Sequence, residues 1–144
     1  MNNESTVSAN IAAQERFGKA INSGDFSAFD EVVAPGAIDH DPAPGQAPGP
    51  EGFRQFFTEL RTAFPDLKVS VEYMVADANN VAIAYTITGT QQGKFMGFAP
   101  TGKHMQARGV QIGKFANGKL IERWGSSDQA GILQQLGLAP SPSA

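Results

Sequence analysis

The sequence predicts an α+β fold, with helices packed on a strongly curved antiparallel sheet. Three observations carry this prediction. Apolar residues recur at helical intervals up to Phe64; from Leu67 to Asp128 the chain turns rich in Val, Ile, Thr and aromatics; and the turn signals in that second half suit a meander. Helices followed by an antiparallel meander is the order in which helices cover one face of a sheet. A highly curved sheet of this kind closes into a cone-shaped α+β barrel whose open end is an internal pocket. The 144 residues fit a single domain over 1–144, with a polar, proline-broken tail from about 140 that should fray.

Taken in order, Val7, Ile11, Phe17 and Ile21 predict an amphipathic helix from about Ser5 to Asn22, stopped by Asn22-Ser23-Gly24. Asp25 suits the N-cap of a short helix through Val33, ended by Pro35-Gly36. Ala37 to His40 reads as a short extended segment. Residues 41–50, with four prolines and two glycines, form an irregular loop of the kind that makes pocket rims. Pro50 fits the first turn of a third helix, in which Phe53, Phe56, Phe57, Leu60 and Phe64 follow helical spacing until Pro65 closes it. Strands are predicted over Leu67–Ala76, Val81–Thr90, His104–Phe115 and Leu120–Ser126, with an edge strand in the glycine- and proline-rich stretch around Phe95 to Phe98. Asn117-Gly118 is the type I′ hairpin signal, since both central residues of that turn need positive φ.

Composition removes several function classes. The net charge of -3, with no basic run, argues against nucleic acid and anionic membrane surfaces. Having no cysteine excludes disulfides, thiolate nucleophiles, iron-sulfur clusters and Cys-ligated zinc. His40 and His104 stand apart, without a ligand-spaced partner, so metal-free chemistry is expected. The N-terminus lacks the charged and apolar regions of a signal peptide, and the expectation is a soluble cytoplasmic protein.

An ungapped hairpin about Asn117-Gly118 pairs Gly113 with Glu122, Gln111 with Trp124, Gly109 with Ser126 and Ala107 with Asp128, placing these side chains on one face. Small residues at 107, 109 and 113 would leave room there for a ligand beside Trp124. Val110, Ile112 and Ile121 fall on the other face, an apolar surface suited to a homodimer. On the same parity Arg108 and Arg123 lie away from Asp128. Asp128 stands where a strand hands over to the helix Gln129-Ala-Gly-Ile-Leu. It can be that helix's N-cap or an acid/base at a pocket mouth.

The order of short motifs resembles the SnoaL-like polyketide cyclases, or ester cyclases, of the nuclear-transport-factor-2-like fold. The motifs are His40-Asp-Pro, Gly49-Pro-Glu-Gly-Phe53, Phe64-Pro-Asp66, Gly89-Thr-Gln-Gln-Gly93, Phe95-Met-Gly97, Pro100-Thr-Gly102, Asn117-Gly-Lys119, and Trp124 followed by Asp128 and Gln135-Leu-Gly137. The resemblance implies a dimeric or larger assembly, a deep apolar pocket without cofactor, and a hydrophobic, polycyclic ester as substrate. It also implies intramolecular aldol ring closure with Asp128 as the acid/base. Where the cyclases carry a histidine on the hairpin strand this chain has Gln111, which can hydrogen-bond a carbonyl but cannot transfer a proton near neutral pH. Gln111, Trp124, His40, Ser126 and Glu122 are thus the candidate substrate-binding residues, His40 being equally suited to a surface role, and His104 is structural. Two other functions fit the fold: a non-catalytic small-molecule binder, and an epoxide hydrolase using an Asp-Arg-Asp arrangement to activate water.

Overall fold

A computed structural model of the chain describes residues 3–138. The frayed tail expected from about 140 lies outside them. Two helices precede any strand. Helix α1 (Asn3–Ser23) buries Ala13, Phe17, Ala20 and Ile21. Asp25 caps a 3-10 turn (Phe26–Ala28), accepting from Ser27 N at 3.1 Å, and α2 follows as a single turn (Phe29–Val32). The predicted helix through Val33 stops one residue short, because Pro35 disfavours helical backbone at the residue before it and Val33 is already extended. Strand β1 (Val33–Asp39) begins there.

Helix α3 (Gly49–Ala63) carries Pro50 in its first turn and buries Phe53. Its phenylalanines meet those of the first two helical segments. The Phe17 ring centroid lies 4.9 Å from Phe29 and 5.4 Å from Phe53, and Phe26 stacks on Phe29 at 5.3 Å. Each such pair is worth roughly 0.5–1.5 kcal/mol beyond its area burial, so this aromatic cluster fixes how the helices sit together.

The meander β2 (Lys68–Ala76), β3 (Asn80–Thr90), β4 (His104–Ala116) and β5 (Lys119–Ser127) follows the predicted strands closely, and α4 (Gln129–Gln135) closes the described chain. Asn117 and Gly118 have φ of 53° and 75°, as the type I′ turn requires. The sheet is open and curved, in the order β1-β5-β4-β3-β2. It is mixed and not purely antiparallel, because β1 runs parallel to β5. As an edge strand β1 tolerates Pro35, which cannot donate to a ladder. No edge strand forms around Phe95. That stretch makes only an isolated bridge between Phe95 and Phe98, because Met96 and Gly97 at φ of 50° and 84° turn the chain back at once.

One face of the sheet is covered by helices. It carries Val81, Ile83 and Ile87 of β3 and Met105, Ala107, Gln111 and Phe115 of β4, all buried. The other face is open and strongly apolar. In neighbouring cross-strand rows it presents Trp124, Ile112, Ala82 and Val75, and then Ser126, Val110, Ala84 and Tyr73.

Candidate functional site

The hairpin decides which side chains reach the helix-covered face. Pairing starts as predicted, with Ala116 opposite Lys119 and Phe115 opposite Leu120, but the next pair is Lys114 with Glu122. Ile121 is the extra residue of a bulge, and one extra residue moves every later side chain of the strand to the other face. Gln111 therefore pairs with Gly125, Gly113 with Arg123 and Gly109 with Ser127, whereas Trp124 lies opposite Ile112 and Ser126 opposite Val110. The expected sharing of one face by Asp128, Gln111, Trp124, Glu122 and Ser126 is corrected: only Gln111 is on the helix-covered side, and Asp128, next after the Ser127 that pairs with Gly109, does not lie opposite Ala107. Arg123, expected to point away, joins it there.

His40, Trp124 and Glu122 do come together, on the open face. The His40 and Trp124 rings stack at 4.5 Å and 8°, and His40 Nε2 lies 2.9 Å from Glu122 Oε1, whose other oxygen is 3.8 Å from Lys114 Nζ. His104 contacts Thr90 Oγ1 at 3.1 Å across two strands.

On the covered face the bulge builds a polar cluster that sequence reasoning missed. Arg123 Nε donates to Gln111 Oε1 at 2.8 Å, and its Nη1 donates to Asp39 Oδ1 and Oδ2 at 3.0 and 3.2 Å. Asp39 arrives through the parallel pairing of β1 with β5, directly opposite Arg123. Its side chain is 7% exposed and that of Arg123 18%. The carboxylate also accepts from Asp41 N at 3.0 Å and Gln46 Nε2 at 3.1 Å, so each oxygen takes two hydrogen bonds and its lone pairs are filled. Asp39 is thus a holder of Arg123 and has no site left for a reacting water. Asp41 Oδ2 accepts from Gly125 N at 2.8 Å, tying the proline-rich loop to β5.

The glycines beneath this cluster are occupied and do not enclose empty space. A methyl on Gly125 would strike the Arg123 guanidinium and one on Gly109 the Tyr85 phenol, so each planar group fills the space over a strand position without a side chain. Burial pushes the Tyr85 hydroxyl above its ordinary pKa, opposed by the charge of Arg123 and a hydrogen bond with Ser127. Two cavities, of about 250 and 330 Å3, lie elsewhere, one between α1 and the 3-10 turn and one beside Pro35, Pro48 and Pro50. Neither touches Gln111, Trp124 or Asp128.

Asp128 leaves the end of β5, its N donating to Arg108 O at 3.1 Å. Its Oδ1 accepts from Gly131 N at 2.9 Å, so it caps α4, and it is exposed. Its Oδ2 makes no hydrogen bond among the described residues. Helix α4 is held by buried Ile132 and Leu136 and by Gln135, which clamps both backbone groups of Gln106 at 2.8 Å. Gln91, fully buried, pins the loop that follows β3 through bonds to Gly93 O, Phe98 O, Ala99 O and Thr101. This loop brings Met96 Sδ to 3.4 Å from Gln129 Nε2, next to Asp128. Among the described residues no group of three or more metal-ligating side chains occurs, and no helix is long and apolar enough to cross a membrane.

A family model described as SnoaL-like polyketide cyclase matches residues 11–136. Among solved structures, TsrD from Streptomyces laurentii superposes with a TM-score of 0.84 at 23% identity, over 92% of this chain and 97% of that one. IdmH, a candidate polyketide cyclase from Streptomyces antibioticus, gives 0.77 at 30% identity over 89% and 98%. AclR, a candidate hydroxylase from Streptomyces galilaeus, gives 0.80 at 27% identity over 93% and 99%. No curated protein sequence matches the chain.

Proposed function

The chain belongs to the SnoaL-like polyketide cyclase family, and on that premise we propose that it catalyses cofactor-free proton abstraction on an apolar carbonyl or ester substrate, with intramolecular aldol ring closure as the full reaction. Asp128 is the acid/base. Its Oδ2 takes a proton from the carbon between two carbonyls; the enolate carbon attacks a second carbonyl, forming a C–C bond; and the alkoxide recovers the proton from Asp128. Gln111, on the covered face, offers its amide to a substrate carbonyl. The observation that carries this reading is the strand-to-helix handover, where one Asp128 oxygen is fixed by Gly131 N and the other is left unbonded. A positioned acid/base is worth roughly 100- to 10,000-fold. Exchange of the α-proton of methyl acetoacetate and larger β-keto esters into D2O, followed by NMR, should be enzyme-dependent and fall by about 100-fold or more in Asp128→Asn. Because Asn caps about as well as Asp, that variant should fold.

The exposure of Asp128 favours a second reading, a small-molecule binding protein of the same fold without turnover. Ligand binding by wild type with no exchange above background would select it. Epoxide hydrolysis draws less support, since the aspartate on Arg123 has its acceptor positions filled.

The assembly we propose is a homodimer formed through the open sheet face. Tyr73, Val75, Val110, Ile112 and Trp124 are all exposed there, and His40, Glu122 and Ser126 flank them. On this reading His40, Trp124, Glu122 and Ser126 serve the contact between copies, and the covered face serves the substrate.

A further inference from the structure

Deepening the reading above, we propose that Arg123 Nη2 and Gln111 Nε2 form a two-donor site for the enolate oxygen of an enolisable 1,3-dicarbonyl substrate. Arginine offers only donors, so the Gln111 oxygen must face Arg123 Nε and the amide nitrogen must face away. Arg123 Nη1 is committed to Asp39. Nε and Nη2 share one edge of the planar guanidinium, so Nη2 lies beside the Gln111 amide on the edge that Gln111 caps. Neither Nη2 nor Gln111 Nε2 has a hydrogen-bond partner among the described residues. No side-chain polar atom among these residues is both fully occluded and unpartnered, so both nitrogens reach the accessible surface.

The cluster is rigid and electrically suited to a charge that develops during reaction. Asp39 neutralises Arg123 at rest, while Gln46 and Asp41 N hold the carboxylate in place. A neutral carbonyl therefore meets two unpartnered donors without strong prior attraction, and the bonds strengthen as its oxygen becomes anionic. Donors fixed before reaction, needing no reorganisation, are what stabilise an oxyanion most. The guanidinium of Arg123 occupies the space that a Cβ on Gly125 would fill, so a side chain at 125 would displace it.

The test is equilibrium binding, which needs no turnover. 2-Hydroxy-1,4-naphthoquinone is a planar acidic enol, ionised at neutral pH, and 1,4-naphthoquinone is its neutral counterpart. Wild type should bind the ionised enol at least tenfold more tightly by calorimetry. Gln111→Glu keeps an oxygen on Arg123 Nε but replaces the outward donor with an acceptor; it should melt within a few degrees of wild type and lose enol binding by about tenfold or more, the scale of hydrogen bonds to a charged group. Arg123→Lys, which cannot present the planar fork, should lose it too. Equal binding of the two quinones by wild type, or undiminished enol binding by folded Gln111→Glu, overturns the proposal. Asp128→Asn, which removes a like charge from beside the bound anion, should bind the enol at least as tightly as wild type does. Failure of α-proton exchange in wild type would thus remove the role of Asp128 and leave the donor pair standing, whereas enol binding indifferent to Gln111→Glu would remove the donor pair and leave Asp128.

Discussion

Separating Arg123 from Asp39 should reveal a coupling that neither residue shows alone. Arg123→Leu leaves a carboxylate that is 7% exposed with only Asp41 N and Gln46 Nε2 as donors. Orphaning one member of a buried pair costs about 3–5 kcal/mol, and the 18% exposure of Arg123 points to the lower end, about 3 kcal/mol. Asp39→Asn keeps the shape but turns one acceptor oxygen into an N–H2 group facing donors already in place. That costs roughly 2–3 kcal/mol from an unmade bond and an uncompensated guanidinium. In Asp39→Asn with Arg123→Leu no charge is orphaned, so the double variant should lose about 1–3 kcal/mol less than the sum of the single losses. For a chain of 144 residues each kcal/mol moves Tm by roughly 2–4 °C, so Arg123→Leu should melt about 6–12 °C below wild type. Urea unfolding of all four proteins, with m unchanged, gives the cycle. Losses that add to within about 0.5 kcal/mol would show that the two side chains do not act as a pair, and the account of Asp39 as the holder of Arg123 would fail.

Gln91→Leu removes the bonds that knot the loop after β3, so stability should fall by about 3 kcal/mol. Hydrogen exchange should then rise at residues 93–101 while α1 stays protected, and an unchanged loop would refute the assignment. Ile112→Lys places a charge in the middle of the open face. Sedimentation should show wild type as a dimer and this variant as a folded 15.2 kDa monomer, and a monomeric wild type would end the dimer reading. The hydroxyl of Tyr85 is raised from its ordinary value of 10.0, chiefly by desolvation, so the folded chain holds its proton after the unfolded chain has lost it. Its contribution is complete below pH 10.0 and is lost as pH rises through the folded value, so denaturation midpoints should drop in that range, less steeply in Tyr85→Phe.

The helix-then-meander order was legible because its signals are local. The Phe53 to Phe64 spacing, Pro50, and Asn117-Gly118 each act within a few residues. Parallel pairing of β1 with β5 has no local signature, so Asp39 was passed over although it stands beside His40 in the sequence. The bulge at Ile121 was equally silent. Its apolar side chain looks like any strand residue, and only three-dimensional pairing reveals that it is extra. This one residue exchanged Arg123 for Trp124 on the covered face, so of the side chains expected to share a face with Gln111 none stands beside it there. The cap at Asp128 was legible from the sequence Asp-Gln-Ala-Gly, because its hydrogen bond spans three residues.

Gly109 and Gly125 have a consequence for redesign. Since the strand itself contributes nothing above these positions, the free volume there is set wholly by two removable tenants, the Tyr85 ring and the Arg123 guanidinium. Shortening Tyr85 would excavate a recess with an intact backbone floor, without touching a helix or a loop. The room on the covered face is therefore adjustable from β3, one side chain at a time, while the hairpin that carries Gln111 stays as it is.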